Sequence, residues 1–146
     1  MQRYAQILCM IFFTTIPHSV WARPSVDSTV VFTNTGGRWD TENGHGLYRV
    51  IVWSAGFEHV SSGVIAEWVA NPQDSNDSSK VIYATPLVEL GLYNFEMPII
   101  SQLKEGVRVK LKGVNSYQSK QRVSCVFDLK PNMVVLKVRP CLLQTL

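Results

Sequence analysis

Hydrophobic and polar residues alternate along most of this chain, and turn-forming residues interrupt the alternation at short intervals. A period of two places successive side chains on opposite faces of a β-sheet, so each alternating run predicts a strand. The predicted strands are residues 28–33, 47–54, 64–70, 81–85, 87–95, 107–114, 121–129 and 133–139. About eight short strands without crossover helices predict an all-β domain, either an antiparallel β-sandwich or a jelly-roll-like fold.

Two segments depart from simple alternation. Residues 47–54 are apolar on both faces apart from Arg49, which is typical of a strand in the centre of a sheet. Residues 98–105 begin with Pro98, carry apolar residues on one side and end before Gly106. This pattern predicts a helix of two turns at most, so the predicted fold contains at most one short helix.

The N-terminal 22 residues have the pattern of a secretory signal peptide. Arg3 precedes an apolar run at residues 7–16, and Ala22 ends a motif suited to cleavage. The run is too short for a helix that crosses a bilayer, which needs roughly 20 residues. We therefore expect residues 1–22 to be removed and residues 23–146 to form a single domain without a transmembrane segment, secreted or periplasmic.

The chain contains three cysteines, and the predicted cleavage removes Cys9. The remaining pair, Cys125 and Cys141, predicts one disulfide, because an even number of cysteines is typical of bridged exported chains. A flat hairpin between the last two predicted strands would place them roughly 13 Å apart, whereas bridged Cα atoms lie within about 7 Å. We therefore expect the chain to turn back at Pro140. The alternative is that the two strands lie in opposite sheets.

The 146 residues are 46% hydrophobic and 17% charged with a net charge of +3, which excludes a disordered or fibrous protein. Positive charge is concentrated in residues 104–146, where nine basic residues face two acidic ones. In that segment Arg108, Lys110 and Lys112 alternate with apolar residues and predict a basic face on a strand. Such a face is typical of a nucleic-acid or anionic-membrane surface, but the strict alternation favours a half-solvated strand with nothing bound, and nucleic acid is not expected for an exported protein.

The most unusual segment is residues 36–46, which combine four glycines with an aromatic ring and several polar groups. The candidate ligand-binding residues are Arg38, Trp39, Asp40, Glu42, Asn43 and His45. An exposed tryptophan beside carboxylate and amide groups is suited to a sugar, since the ring covers the apolar side and the polar groups bind hydroxyls. The alternative is a hairpin loop whose tryptophan packs back onto the sheet. The spacing of a calcium loop is absent, so no metal is expected.

Patterns typical of catalysis are weak. Only His45 and His59 remain after the predicted cleavage, and no serine lies in a G-x-S-x-G turn. No glycine-rich phosphate loop precedes a helix, and no cofactor is expected. The sequence therefore predicts a protein that is not an enzyme. A small secreted hydrolase that uses one of the two histidines is an alternative.

These observations predict an exported, non-enzymatic binding or interaction module at the cell surface, in the periplasm or in a host, whose partner is a glycan or a protein. A second hypothesis is a structural or assembly subunit, in which the alternating segment 25–33 adds a strand to a neighbouring subunit. The signal and the small two-cysteine body favour a bacterial source. Asn76 begins an Asn-Asp-Ser glycosylation sequon, which has meaning only in a eukaryotic host.

Overall fold

The computed structural model of the protein describes residues 29–56, 60–72 and 78–145. The predicted signal peptide, His59 and Asn76 lie outside these residues. The strands of the described part are β1 (Val30–Thr41), β2 (Gly44–Ala55), β3 (Ser61–Ala70), β4 (Lys80–Val88), β5 (Tyr93–Phe95), β6 (Ile99–Gln102), β7 (Val107–Asn115), β8 (Gln121–Leu129) and β9 (Val135–Thr145).

These strands form two antiparallel sheets. The first sheet has the order β1-β2-β3-β4, and the second has the order β5-β7-β8-β9, with β6 also pairing with β7. Consecutive strands are neighbours throughout the first sheet because short connections favour antiparallel pairing. Apolar side chains from the inner faces of both sheets meet in one core. The predicted β-sandwich is confirmed.

Trp68 on β3 lies in this core and joins the two sheets. It is fully buried, and its ring contacts Tyr48 and Tyr83 edge-on at centroid distances of 5.6 and 5.3 Å. Its indole N–H donates a hydrogen bond of 2.9 Å to the carbonyl oxygen of Lys130, which follows β8 in the second sheet. Burial raises the pKa of Tyr48 to about 12, so this ring stays uncharged at neutral pH.

The short helix predicted over residues 98–105 is wrong, because this segment contains β6. Ile100 packs against the core opposite Val109, whereas Ile99 lies opposite Lys110 and is exposed. The side chains therefore follow a period of two rather than 3.6. Pairing with the edge of β7 satisfies the backbone of this segment, and an isolated two-turn helix is marginal in water. No helix occurs in the described ranges.

Strand β4 is longer than predicted because it runs through Pro86 to Val88. It is an edge strand, where the missing N–H of proline need not remove a hydrogen bond between strands. The separate strand predicted at residues 87–95 is therefore wrong. Residues 89–92 connect the edge strand to β5, which contains only three residues.

Strands β8 and β9 form a hairpin that also carries the Cys125–Cys141 disulfide, with Cα atoms 4.4 Å apart. The predicted bridge is confirmed, but the predicted reversal at Pro140 is wrong because β9 continues through this residue. Leu129 pairs with Val135, so the turn is two residues longer than in the flat hairpin. Two register shifts further along β9 each add one residue to that strand. Together they remove the four-residue offset that separated the cysteines in the flat hairpin.

Candidate functional site

The glycine-rich segment 36–46 forms the β1–β2 hairpin, and its tryptophan points into the protein. Trp39 is only 3% exposed, and its indole N–H donates a hydrogen bond of 3.0 Å to the carbonyl oxygen of Leu47. A Cβ at position 46 would lie 2.7 Å from ring atom Cζ2, so Gly46 allows the ring to lie against the backbone. The hairpin therefore has the alternative arrangement, in which the tryptophan packs back onto the sheet. Trp39 therefore offers no ring face to a sugar.

The polar candidates of this hairpin stay at the surface. All five are exposed at one end of the first sheet: Arg38, Asp40, Glu42, Asn43 and His45. Asp40 and His45 lie opposite each other across β1 and β2, and Glu42 and Asn43 form the turn between them. The structure thus brings these polar groups together but separates them from the Trp39 ring. No group of three or more His, Cys, Asp or Glu side chains that could hold a metal ion is found in the described part.

His45 is the histidine available to the hydrolase hypothesis, since His59 lies outside the described residues. It is exposed on β2 rather than set in an enclosed pocket. The buried hydroxyl of Ser62 is engaged elsewhere, at 3.1 Å from the Ser54 hydroxyl and 3.4 Å from Asn94 Oδ1. A small secreted hydrolase stays a prediction that these contacts do not favour.

The segment predicted to exchange between subunits is partly used within its own fold. Val30 pairs with Trp53 and Phe32 with Val52, and the Phe32 side chain packs against the core. These residues therefore complete the first sheet of their own chain. Residues 25–28 lie outside the described residues, and strand exchange stays a prediction.

A cluster of cations lies on the outer surface of the second sheet. We call it the basic face, and it consists of Arg108, Lys110, Lys112, Arg122 and Arg139. The three residues on β7 alternate with buried valine and leucine residues, so their side chains point away from the core. In the strand register, Val126 of β8 lies between Lys110 and Arg139. Three neighbouring strands thus contribute to one positively charged surface.

The sequence predicted the β7 cations of this face but not Arg122 or Arg139. Arg139 follows an extra residue, Val138, at a register shift in β9, so its position opposite Val126 depends on that bulge. Arg122 lies on β8, and its proximity to the β7 cations requires the strand pairing itself. The concentration of positive charge after residue 104 was the available signal, but charge counts do not define a face.

The cations of the basic face differ in how far they are neutralised. Arg108 makes two hydrogen bonds to the Asp128 carboxylate, at 2.8 and 2.9 Å. Arg122 lies 3.7 Å from the Glu96 carboxylate, and both side chains are exposed by more than half. The other three make no ion pair with a described residue: Lys110, Lys112 and Arg139. The face therefore carries an excess of positive charge.

A shallow depression of about 330 Å³ lies within the basic face. Its polar walls are Glu96, Lys112, Arg122, Ser124, Arg139 and Gln144. Ser124 lies opposite Lys112, so a neutral hydroxyl sits between the strands that carry the cations. Neighbouring strands are about 4.8 Å apart, and residues two apart on one strand are separated by roughly 7 Å. This arrangement can hold several negatively charged groups at once.

The Arg108–Asp128 pair makes the free energy of unfolding depend on pH in the acidic range. Hydrogen bonding to Arg108 lowers the pKa of Asp128 below its ordinary value. A carboxylate whose pKa is lower in the folded state stabilises the fold above its unfolded pKa of about 4, and this contribution is lost progressively as pH falls from that value through the lower folded pKa. We therefore expect Asp128→Asn to be less stable than the wild type at neutral pH and to approach it as pH falls through the lowered pKa of Asp128.

Urea denaturation of both proteins across this pH range would measure the effect. Glu96→Gln is the control, because Glu96 is exposed and its distance to Arg122 is 3.7 Å. We expect this variant to show little pH dependence relative to the wild type. A stability difference for Asp128→Asn that stayed constant from neutral to acidic pH would contradict the role assigned to the pair.

No protein-family model matches the chain, and neither curated proteins nor solved structures give a significant match. The described residues include no helix that is long and apolar enough to cross a membrane. The inference of function therefore depends on the chemistry of the chain's own surface.

Proposed function

We propose that this protein is an exported, non-enzymatic binding domain whose basic face holds an anionic glycan carrying sulfate, phosphate or carboxylate groups. The observation that carries the proposal is a set of three cations that form no ion pair within the described part of the chain, Lys110, Lys112 and Arg139, beside the depression on the second sheet. Retaining unpaired like charges on one face is unfavourable without a counter-charge, so an anionic ligand would relieve their repulsion.

The shape of the basic face favours an extended ligand. The cations are spread over β7, β8 and β9, and the depression among them is shallow rather than enclosed. A small anion would contact few of these charges, whereas a chain with repeated anionic groups would contact several. Ser124 and Gln144 add neutral groups that can bind sugar hydroxyls.

The composition of the face argues against nucleic acid. Proteins that bind single strands stack the bases on aromatic side chains, but the outward positions of β7 and β8 carry none. Phe127, the one aromatic residue of β8, is 2% exposed and lies in the core. The Cys125–Cys141 disulfide supports an oxidising compartment outside the cytosol.

Binding to heparin, a sulfated polysaccharide, tests the proposal. The test variant is the triple substitution Lys110→Gln, Lys112→Gln and Arg139→Gln. Each lost contact between exposed charges is worth about 1 kcal/mol in water, so we expect the three together to weaken binding about 100-fold. Affinity of the wild type should also fall steeply with added salt, since the bound ligand displaces counterions. Isothermal titration calorimetry at two or more salt concentrations would measure both effects.

The matched control removes the same net charge elsewhere. Lys80, Lys104 and Lys120 are exposed and lie outside the basic face. Their triple substitution with glutamine should change heparin affinity by no more than about threefold, because distant surface charges are screened by salt. Equal losses in the two triple variants would show that only net charge matters. That result, or a wild type that does not bind heparin, would contradict the proposed site.

A further inference from the structure

The outer face of the first sheet is unusually apolar for a surface exposed to water. Its two central strands present large apolar side chains outward at five positions, namely Leu47, Ile51, Trp53, Ile65 and Val69, and each is partly exposed. An antiparallel sheet with one solvated face normally alternates between apolar and polar residues. Here both faces of β2 are apolar apart from Arg49 and the residues near the two ends of the strand. We call this surface the apolar face.

The apolar face contains one ion pair at its centre. Arg49 on β2 and Glu67 on β3 are opposite each other in the register and are joined by a hydrogen bond between their side chains. Their side chains remain 34% and 14% exposed. The pair leaves no net charge on this part of the surface. The ring of Trp53 lies over Gly63, where a Cβ would approach the indole nitrogen to 2.6 Å, so this large side chain covers its neighbouring strand.

We infer that the occupant of the apolar face is a second copy of this chain, packed face to face. The cross-strand pairs of β2 and β3 make the surface self-complementary: Leu47 with Val69, Arg49 with Glu67, and Ile51 with Ile65. The two-fold axis of this dimer runs parallel to the strands, midway between the two copies and in line with the gap between β2 and β3. It places each residue of a pair over its pairing partner in the other copy. Arg49 then lies against Glu67 of the second copy, and apolar residues lie against apolar residues.

The size of the sheet is sufficient for such an interface. Strand β3 has ten residues, which at about 3.4 Å per residue gives a length of about 34 Å. Four strands spaced about 4.8 Å apart give a flat area of about 650 Å² per copy, or about 1,300 Å² in total. Stable interfaces bury about 1,200 to 2,000 Å², and sheets commonly pack face to face with their strands about 30° apart.

This dimer adds a property to the proposed binding function without depending on it. The basic face lies on the second sheet, on the opposite side of the sandwich from the apolar face. Two copies joined through their first sheets would hold their basic faces outward in opposite directions. Such a dimer would bridge two anionic chains, whereas a monomer would bind one.

The solution mass of the chain that remains after the expected cleavage, residues 23–146, tests the inference. Light scattering or sedimentation over a range of concentrations should give the mass of two chains. In Ile65→Lys, a charge is placed where Ile51 of the second copy would lie, and we expect the dimer dissociation constant to rise at least about 100-fold. The matched control is Val126→Lys, since Val126 is also partly exposed and points outward, but from the second sheet. This control should remain dimeric.

A charge exchange then tests the proposed axis. In the double variant Arg49→Glu/Glu67→Arg, opposite charges still face each other, both within one chain and between two copies of the variant. This variant should therefore dimerise with itself. A mixed dimer with the wild type would place Arg49 against arginine and Glu67 against glutamate. We therefore expect native mass spectrometry of the mixture to show the two self-paired dimers and at least about tenfold less of the mixed dimer than random pairing gives.

Three results would overturn the inference: a wild type that is monomeric at all concentrations, an Ile65→Lys variant that dimerises as tightly as Val126→Lys, or free mixing of the charge-exchanged variant with the wild type. Circular dichroism and urea denaturation of each variant would show that it is folded. Heparin binding by a monomer needs only the basic face. Failure of the dimer would therefore leave the proposed function standing, and loss of heparin binding would leave the dimer standing.

Discussion

Replacing Trp68 with alanine is expected to lower the free energy of unfolding by about 3 to 5 kcal/mol, the range for truncating a large buried aromatic side chain. Trp68 is fully buried and contacts the rings of Tyr48 and Tyr83. Alanine would leave a cavity between the sheets and would also remove the hydrogen bond to the carbonyl oxygen of Lys130. Urea denaturation followed by circular dichroism would measure the loss.

The matched variant Trp68→Phe separates packing from hydrogen bonding. Phenylalanine keeps most of the apolar ring but leaves the Lys130 carbonyl oxygen without its donor. We expect a smaller loss of about 1 to 3 kcal/mol, the range for leaving a buried polar group unsatisfied. A loss for Trp68→Ala below about 1 kcal/mol would contradict the assignment of this residue to the centre of the core. Equal losses for the two variants would show that packing contributes little.

Removing the disulfide is expected to lower the free energy of unfolding by about 3 kcal/mol. Cys125 and Cys141 are 16 positions apart, and a bridge that closes a loop of this length reduces the conformational entropy of the unfolded chain. In the folded state, the bridge holds β9 against β8 beside two register shifts. The double variant Cys125→Ala/Cys141→Ala should therefore also show faster hydrogen exchange in the last residues of β9.

A reductant provides the control for this experiment. Dithiothreitol should lower the stability of the wild type by about the same amount and should have no effect on the double variant. Because both comparisons start from the same fold, a matching loss would assign the effect to the bridge rather than to the alanines. Unchanged stability of the wild type under full reduction would contradict the prediction.

Much of the sandwich could be predicted from the sequence because alternation along a strand is a local property. The run at residues 107–114 predicted both the strand β7 and the outward direction of Arg108, Lys110 and Lys112, and the structure confirms the strand and its alternating burial. The Cys125–Cys141 bridge was also predicted. The predicted signal peptide and the export of the chain stay predictions, since those residues lie outside the described part.

The wrong predictions share a physical cause, because the conformation of each segment depends on its neighbours in the folded sheet. Residues 98–105 resemble a short helix in isolation, but the open edge of β7 favours the strand β6. Pro140 resembles the end of a strand, but β9 is an edge strand and tolerates proline. The exposed or buried state of Trp39 likewise depends on Gly46 in the neighbouring strand.

The sequence by itself determined the class of fold, the approximate positions of most strands, the disulfide partners and the cations of β7, since these follow from local periodicity, residue counts and geometric limits. The tertiary structure alone decided the register between strands, because bulges such as the one at Val138 shift a whole strand relative to its neighbour. That register brings Arg139 beside the β7 cations and places Cys141 opposite Cys125. It also pairs Arg49 with Glu67 at the centre of the apolar face, where the pairing of side chains from distant segments makes the surface self-complementary.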